Sequence, residues 1–274
     1  MAKQDTLIGK HPVAPNLFGK WLASTDHPDS DTQCHRSLTD LKTIDEDELL
    51  DLLSNELIKH HYNEDLLERL KKKYASLGFS EYAEQYRMLP NADKVRKGNL
   101  TEVILCEYVL GALDKPLVHT YRFRYSQNVD QSMKGDDVLL VDLDGEETKI
   151  YLGEAKFRKT PTKAVVEDIS KSLSRDTKPL SFPFLSQRLF ESETTRDIAE
   201  QIDSLIVETI KQGGGIIYAG LLLSNEKASD RVQDNLNSDN PNLLFISLGI
   251  ENPTDLITNV FNRAQEKLNN PTAL

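Results

Sequence analysis

Residues 216–223 read Ile-Ile-Tyr-Ala-Gly-Leu-Leu-Leu, eight positions with no charge and no alternation. A run so short and so uniformly apolar reads as a β-strand covered on both faces, the position of a central strand with helices above and below it. Residues 243–248, Leu-Leu-Phe-Ile-Ser-Leu, repeat the pattern. Around them the period changes to that of a helix. Ile198, Ile202, Leu205, Ile206 and Ile210 share one face over 195–212, with Gly213 as the stop. Asn252 and Pro253 open a last helix as N-cap and first helical residue. Buried strands alternating with amphipathic helices restrict the chain to a mixed α/β layer architecture.

The first third reads differently. Residues 1–40 lack a clear period and are expected to be coil with short elements. Thr43 and Glu46 have capping-box spacing ahead of a leucine-rich helix to about His60. Asn63 can cap a second helix, and Ser80 a third that ends before Pro90. The expected division is therefore a mainly helical N-terminal region over 1–90, suited to partner binding, and a second domain over 91–274. Within the latter, 91–113 reads as a helix, and 117–125, 138–141 and 149–157 as strands. Asp144-Gly145 is a tight-turn dipeptide between the last two. Residues 162–175 read as a helix. The apolar cluster Leu180-Ser-Phe-Pro-Phe-Leu185 with Leu189-Phe190 is expected to lie in a loop, packed on its own core or docking a partner.

Charge narrows the function. The 33 basic and 44 acidic side chains leave a net charge of -11. The acid is spread over both parts, with 11 basic against 16 acidic groups in 1–90 and 22 against 28 in 91–274. Proteins that bind nucleic acid unaided carry excess Lys and Arg, because neutralised phosphates supply the affinity. One stretch departs from this: 156–178 holds seven basic groups and three acids. It reads as a solvated helix face or as a small footprint for an anionic substrate that another protein delivers. Cys34 and Cys106 make no disulfide framework, no ~18-residue uncharged apolar stretch exists, and residues 1–20 hold no apolar run before a small-residue cleavage site, so no secretory signal is expected and the expected compartment is the cytoplasm. The six histidines have no zinc spacing.

Chemistry concentrates in the expected hairpin. Glu154 and Lys156 are two apart on a strand and so project from one face. A four-residue loop sets Asp137 directly opposite Glu154; a two-residue loop sets it on the diagonal; an odd loop puts Asp136 in its place. Opposed carboxylates with Cβ atoms ~5 Å apart repel unless a cation lies between them. Mg²⁺, or Mn²⁺, suits such an all-oxygen set, to which the Ala155 carbonyl can add. Lys156 would hold a nucleophilic water or meet developing negative charge. Acid-x-Lys triplets occur four times in the chain, but only Glu154 follows an apolar strand. The competing reading is a surface ion pair on an edge strand. Lys134, Arg158, Lys159 and Lys163 flank the hairpin as candidate phosphate contacts.

Gly135-x-Asp137, an apolar strand, and Gly153-Glu154-Ala155-Lys156 resemble the PD-(D/E)xK nuclease signature, although Asp136 stands where the motif's name has Pro. The resemblance implies a restriction-endonuclease-like core, a mixed sheet flanked by helices, with the N-terminal helical region as an extension. It also implies a metal-dependent DNA nuclease with Asp137, Glu154 and Lys156 at its centre. In that superfamily a preceding helix often contributes a glutamate, and Glu102 is the matching position; its competing reading is an exposed helix acid. More narrowly, these segments resemble the HamA family, the nuclease subunit of Hachiman anti-phage defence. That resemblance implies a helicase partner of the HamB kind that restrains the nuclease and engages DNA. The alternatives are a non-catalytic subunit that regulates a helicase, and a nuclease directed at RNA.

Overall fold

A computed structural model describes residues 2–78, 89–145, 148–212 and 215–269. Six strands form one mixed sheet in the order β1-β2-β6-β5-β4-β3. These are β1 (Leu22–Asp26), β2 (His35–Asp40), β3 (Val138–Asp142), β4 (Lys149–Phe157), β5 (Ile216–Ser224) and β6 (Leu243–Gly249). The four strands β2, β6, β5 and β4 run parallel, and an antiparallel strand closes each edge: β1 against β2 and β3 against β4. Every residue of β5 and β6 is buried, as their unbroken apolar character requires of central strands.

Helices cover both faces. One face carries α1 (Lys3–Ile8), α2 (Leu17–Trp21), α3 (Glu46–His61), α5 (Asp93–Leu113) and α10 (Pro253–Asn269); α4 (Glu64–Ser76) follows α3. The other carries α6 (Lys163–Ser172), α7 (Phe182–Phe190), α8 (Arg196–Gln212) and α9 (Ala228–Asn235). The first core joins Leu7, Trp21 and Leu53 to Leu105, Leu221 and Phe261, so apolar packing runs straight across residue 90. Among the described residues no helix is long and apolar enough to cross a membrane.

The structure corrects several local expectations. Residues 1–40 are not mostly coil: they hold two short helices and two strands of the sheet. The burial of His35, Arg36, Ser37 and Leu38 comes from pairing with β6, far downstream, and polar side chains leave no hydrophobic alternation to read. The 117–125 strand reduces to a single bridge, Val118 to Val141, and a 3-10 turn, Arg122–Tyr125. Its arginines turn inward instead, Arg124 donating to the Lys59 carbonyl at 2.7 and 2.9 Å. The 180–190 cluster is helical, with Pro183 in the first turn, where a missing N–H costs nothing. The cap of α3 is Asp45, which accepts from the Asp47 and Glu48 amides, rather than Thr43. Asn63 does accept from the Leu66 amide at the start of α4. The helix expected after Ser80 and the stop at Gly213 lie outside the described residues.

Candidate active site at the β3–β4 edge

The hairpin register is that of a four-residue loop. Val138 pairs with Gly153 and Asp142 with Lys149, so residue 137 stands opposite residue 154 just beyond the last pair. Two glycines make the approach of the strands to their cover possible. A Cβ on Gly153 would lie 2.7 Å from Val138 Cβ and 2.9 Å from Leu105 Cδ2, so β4 can meet α5 this closely only without a side chain there. Gly135 has a φ of +124°, and a Cβ on it would lie 2.6 Å from Ser181 Oγ. That turn delivers Asp136 and Asp137 to the start of β3.

The two aspartates take different partners. Asp136 Oδ2 accepts from the Ser181 amide at 2.7 Å, and Ser181 Oγ accepts from the Asp136 amide at 2.8 Å. This reciprocal pair ties the turn to the start of α7. Asp137 instead turns toward β4, where its Oδ2 accepts from the Ala155 N–H at 2.8 Å. A strand residue's N–H and C=O leave by the same edge, so the Ala155 carbonyl lies on the Asp137 side as well. Ile150 and Leu152 pack into the core beneath α6, and Glu154 and Lys156 continue that face of β4, ion-paired with each other. Glu102 arrives from α5, on the opposite face.

Arg122 links these groups. Its Nη2 donates to Glu102 Oε2 and, at 3.1 Å, to Asp137 Oδ1. The expected strand over 117–125 gives this arginine no role, although an Arg inside that loosely alternating stretch is itself a signal, because a buried guanidinium needs a carboxylate. Glu102, Asp137 and Arg122 are all mostly buried, with side chains 15, 14 and 12% exposed. Burial, and then the Asp137 charge, push the Glu102 carboxyl up to about 8 despite Arg122. Burial, and then the Glu154 charge, push Asp137 up to about 6. Burial opposes the charge on Lys156, but Glu154, Asp137 and Glu102 outweigh it and hold the ammonium above its usual range. Burial is the first cause for both carboxyls, and the neighbouring carboxylate adds to it.

A cavity of about 40 Å³ opens beside Glu102, Arg122, Asp136 and Asp137, with Ser181 and Phe184 on its far wall. That is room for two or three waters. The remaining candidate residues lie outside this cluster. Lys134, Arg158, Lys159 and Lys163 are exposed. Lys163 is 3.5 Å from Glu167, and Arg158 Nη1 donates to its neighbour's carbonyl.

Among the described residues one group of three potential ligands has its atoms within 4.8 Å of one another: His60, Cys106 and Glu107. Glu107 is already engaged there, by His60 Nε2 at 2.8 Å and Lys59 Nζ at 3.3 Å, which makes this a buried ion-pair network beside the cavity. Glu102, Asp137 and Glu154 do not meet that distance criterion, and Arg122 stands between the first two.

Comparison with known proteins places the chain. The model of the family described as HamA matches residues 15–264. A curated relative, the Hachiman protein HamA of Bacillus cereus, is 39% identical over 273 residues, spanning 98% of this chain and 97% of its own length.

Proposed function

The chain belongs to the HamA family of the Hachiman anti-phage defence system, and on that premise we propose that it is the system's metal-dependent DNA nuclease, with a PD-(D/E)xK core. The observation that carries this reading is the meeting, at one sheet edge, of Asp137 bonded to the β4 backbone, Glu154 paired with Lys156, and Glu102 joined to Asp137 through Arg122.

The donor set fits a hard divalent cation. Glu102, Asp137, Glu154 and the Ala155 carbonyl offer only oxygen, and two of the carboxyls, pushed up by burial and by a neighbouring carboxylate, stand beside a cavity that holds a few waters. When bound, Mg²⁺ or Mn²⁺ supplies a Lewis acid for a phosphate oxygen and a lowered pKa for a water. The protein's own groups do the positioning. Glu154 holds the Lys156 ammonium in place, so that a fixed positive charge faces the negative charge developing on the phosphodiester. Asp137, anchored by the Ala155 amide, lines the cavity with its second oxygen on Arg122 Nη2. Lys134, Arg158, Lys159 and Lys163 are free at the surface or lightly paired, as phosphate contacts must be.

The acidic body supports dependence on a second protein to present DNA, and the family resemblance makes that protein a HamB-like helicase. The test incubates the purified chain, alone and with that helicase, with linear and nicked DNA and Mg²⁺. Wild type degrades DNA, whereas Glu154→Ala and Lys156→Ala do not. Equal degradation by all three removes the assignment. A role as a non-catalytic regulator predicts full phage protection by Lys156→Ala; the nuclease reading predicts lost protection with the complex intact.

A further inference from the structure

We propose that Arg122 is the resident counter-cation of this site, competing with a divalent metal for Glu102 and Asp137, so that loading requires its guanidinium to withdraw. The inference rests on the metal-dependent reading above and deepens it.

Four observations support it. First, a single nitrogen, Nη2, makes both contacts, to Glu102 and to Asp137, so Arg122 occupies the space between the two carboxylates. Second, Nε and Nη1 are buried with no hydrogen-bond partner among the protein's own described atoms. A guanidinium has five N–H donors, and leaving three of them unmet inside a protein is costly. The ion pairs that hold Arg122 in are therefore opposed by donors that gain partners when it moves out. Third, Arg122 sits on the 3-10 turn Arg122–Tyr125, outside the strands, and the segment before it joins the sheet through the isolated Val118–Val141 bridge. The side chain can move without unzipping a ladder, and the cavity it lines adjoins it. Fourth, with Arg122 in place the three carboxylates do not bring oxygens within 4.8 Å of one another.

Charge counting agrees. With all three carboxylates ionised, as a metal would hold them, Glu102, Asp137 and Glu154 with Lys156 sum to −2, which one divalent ion neutralises. With Arg122 present the sum is −1, and a divalent ion would leave an excess positive charge in a buried place. Once withdrawn, the guanidinium carries free donors of the geometry that suits a phosphate.

The experiment measures Mn²⁺ affinity of the full chain without DNA, from the free-ion signal in electron paramagnetic resonance. Arg122→Gln should bind Mn²⁺ at least about tenfold more tightly than wild type, the effect of removing a competitor worth little more than 1.4 kcal/mol. Arg122→Lys, which keeps the charge, should stay near wild type. Equal or weaker binding by Arg122→Gln overturns the proposal. Should that variant not fold, hydrogen exchange on wild type decides: amides of residues 121–125 should exchange faster with Mn²⁺ than with chelator, and unchanged exchange overturns it. Finite but equal affinities count against Arg122 alone; no Mn²⁺ binding by wild type or variant counts against the metal-dependent reading too.

Discussion

Two arginines are buried beside two carboxylates each, at opposite edges of the sheet, and they are treated differently. Arg36 on β2 uses its whole guanidinium. Nε donates to Asp26 at 2.6 Å, and Nη2 to Asp26 at 3.0 Å and Asp5 at 2.9 Å. Nη1 donates to the Gly9 carbonyl at 3.0 Å and Tyr108 Oη at 3.5 Å. It fastens α1, β1 and α5 together. Arg122 meets its carboxylates through one nitrogen and leaves the rest of the fork unmet. A fully satisfied buried cation is a structural clasp; a half-satisfied one marks a place where the protein accepts a cost, which points to use rather than to stability.

Unfolding in urea puts the contrast to its strongest test. Arg36→Met should cost roughly 3–5 kcal/mol, because Asp5 and Asp26 lose their common partner. Arg122→Gln should cost less than half as much, since Glu102 is already close to taking a proton. A loss at 122 equal to that at 36 breaks the comparison.

The pH dependence should also have opposite signs in the two regions. Burial lowers His35, beside Arg36, from 6.5 to about 4. Its contribution is complete above about 6.5 and is lost as pH falls toward 4, by roughly 2–3 kcal/mol. Glu102 is raised from 4.5 to about 8, so the active-site edge is at its most stable below 4.5 and weakens as pH rises through 8. With chelator present, Glu102→Gln should therefore stabilise the chain by roughly 3 kcal/mol more at pH 8 than at pH 5. His35→Gln should flatten the acid limb instead. Urea midpoints across this range that move in parallel for both variants would contradict the assignment.

Packing sharpens the comparison further. The edge that carries the loose guanidinium is tight in its apolar contacts. Gly153→Ala should cost about 1–3 kcal/mol, seen as a lower melting temperature, because Val138 and Leu105 must shift. Smallest is Ser181→Ala, about 1 kcal/mol, which leaves Asp136 without its hydroxyl partner. The same variant should leave Asp137, whose bonds run to Ala155 and Arg122, in position, and Mn²⁺ affinity should be unchanged.

Much of this edge is legible in the sequence. The spacing of Glu154 and Lys156, and the parity that puts Asp137 on their face, follow from the two-residue period of a strand. The choice between a two- and a four-residue loop did not follow, because Asp144-Gly145 permits either, and the ladder from Val138–Gly153 to Asp142–Lys149 selects the longer. Arg122 went unassigned because its segment looked like a strand, and its partners lie 20 and 15 residues away on different elements. Strands β1 and β2 were missed for a related reason: their residues are polar, and their place in the sheet is granted by β6.

What the chain determined by itself is local and periodic: the doubly buried β5 and β6, the amphipathic helices, the acid-x-Lys strand and the family to which those segments point. These survive without context because side-chain direction repeats every two or 3.6 residues. Only the tertiary structure decided which cation stands between Glu102 and Asp137, and that the first forty residues complete the sheet. Both depend on contacts between distant segments, where position in the chain carries no information about position in space.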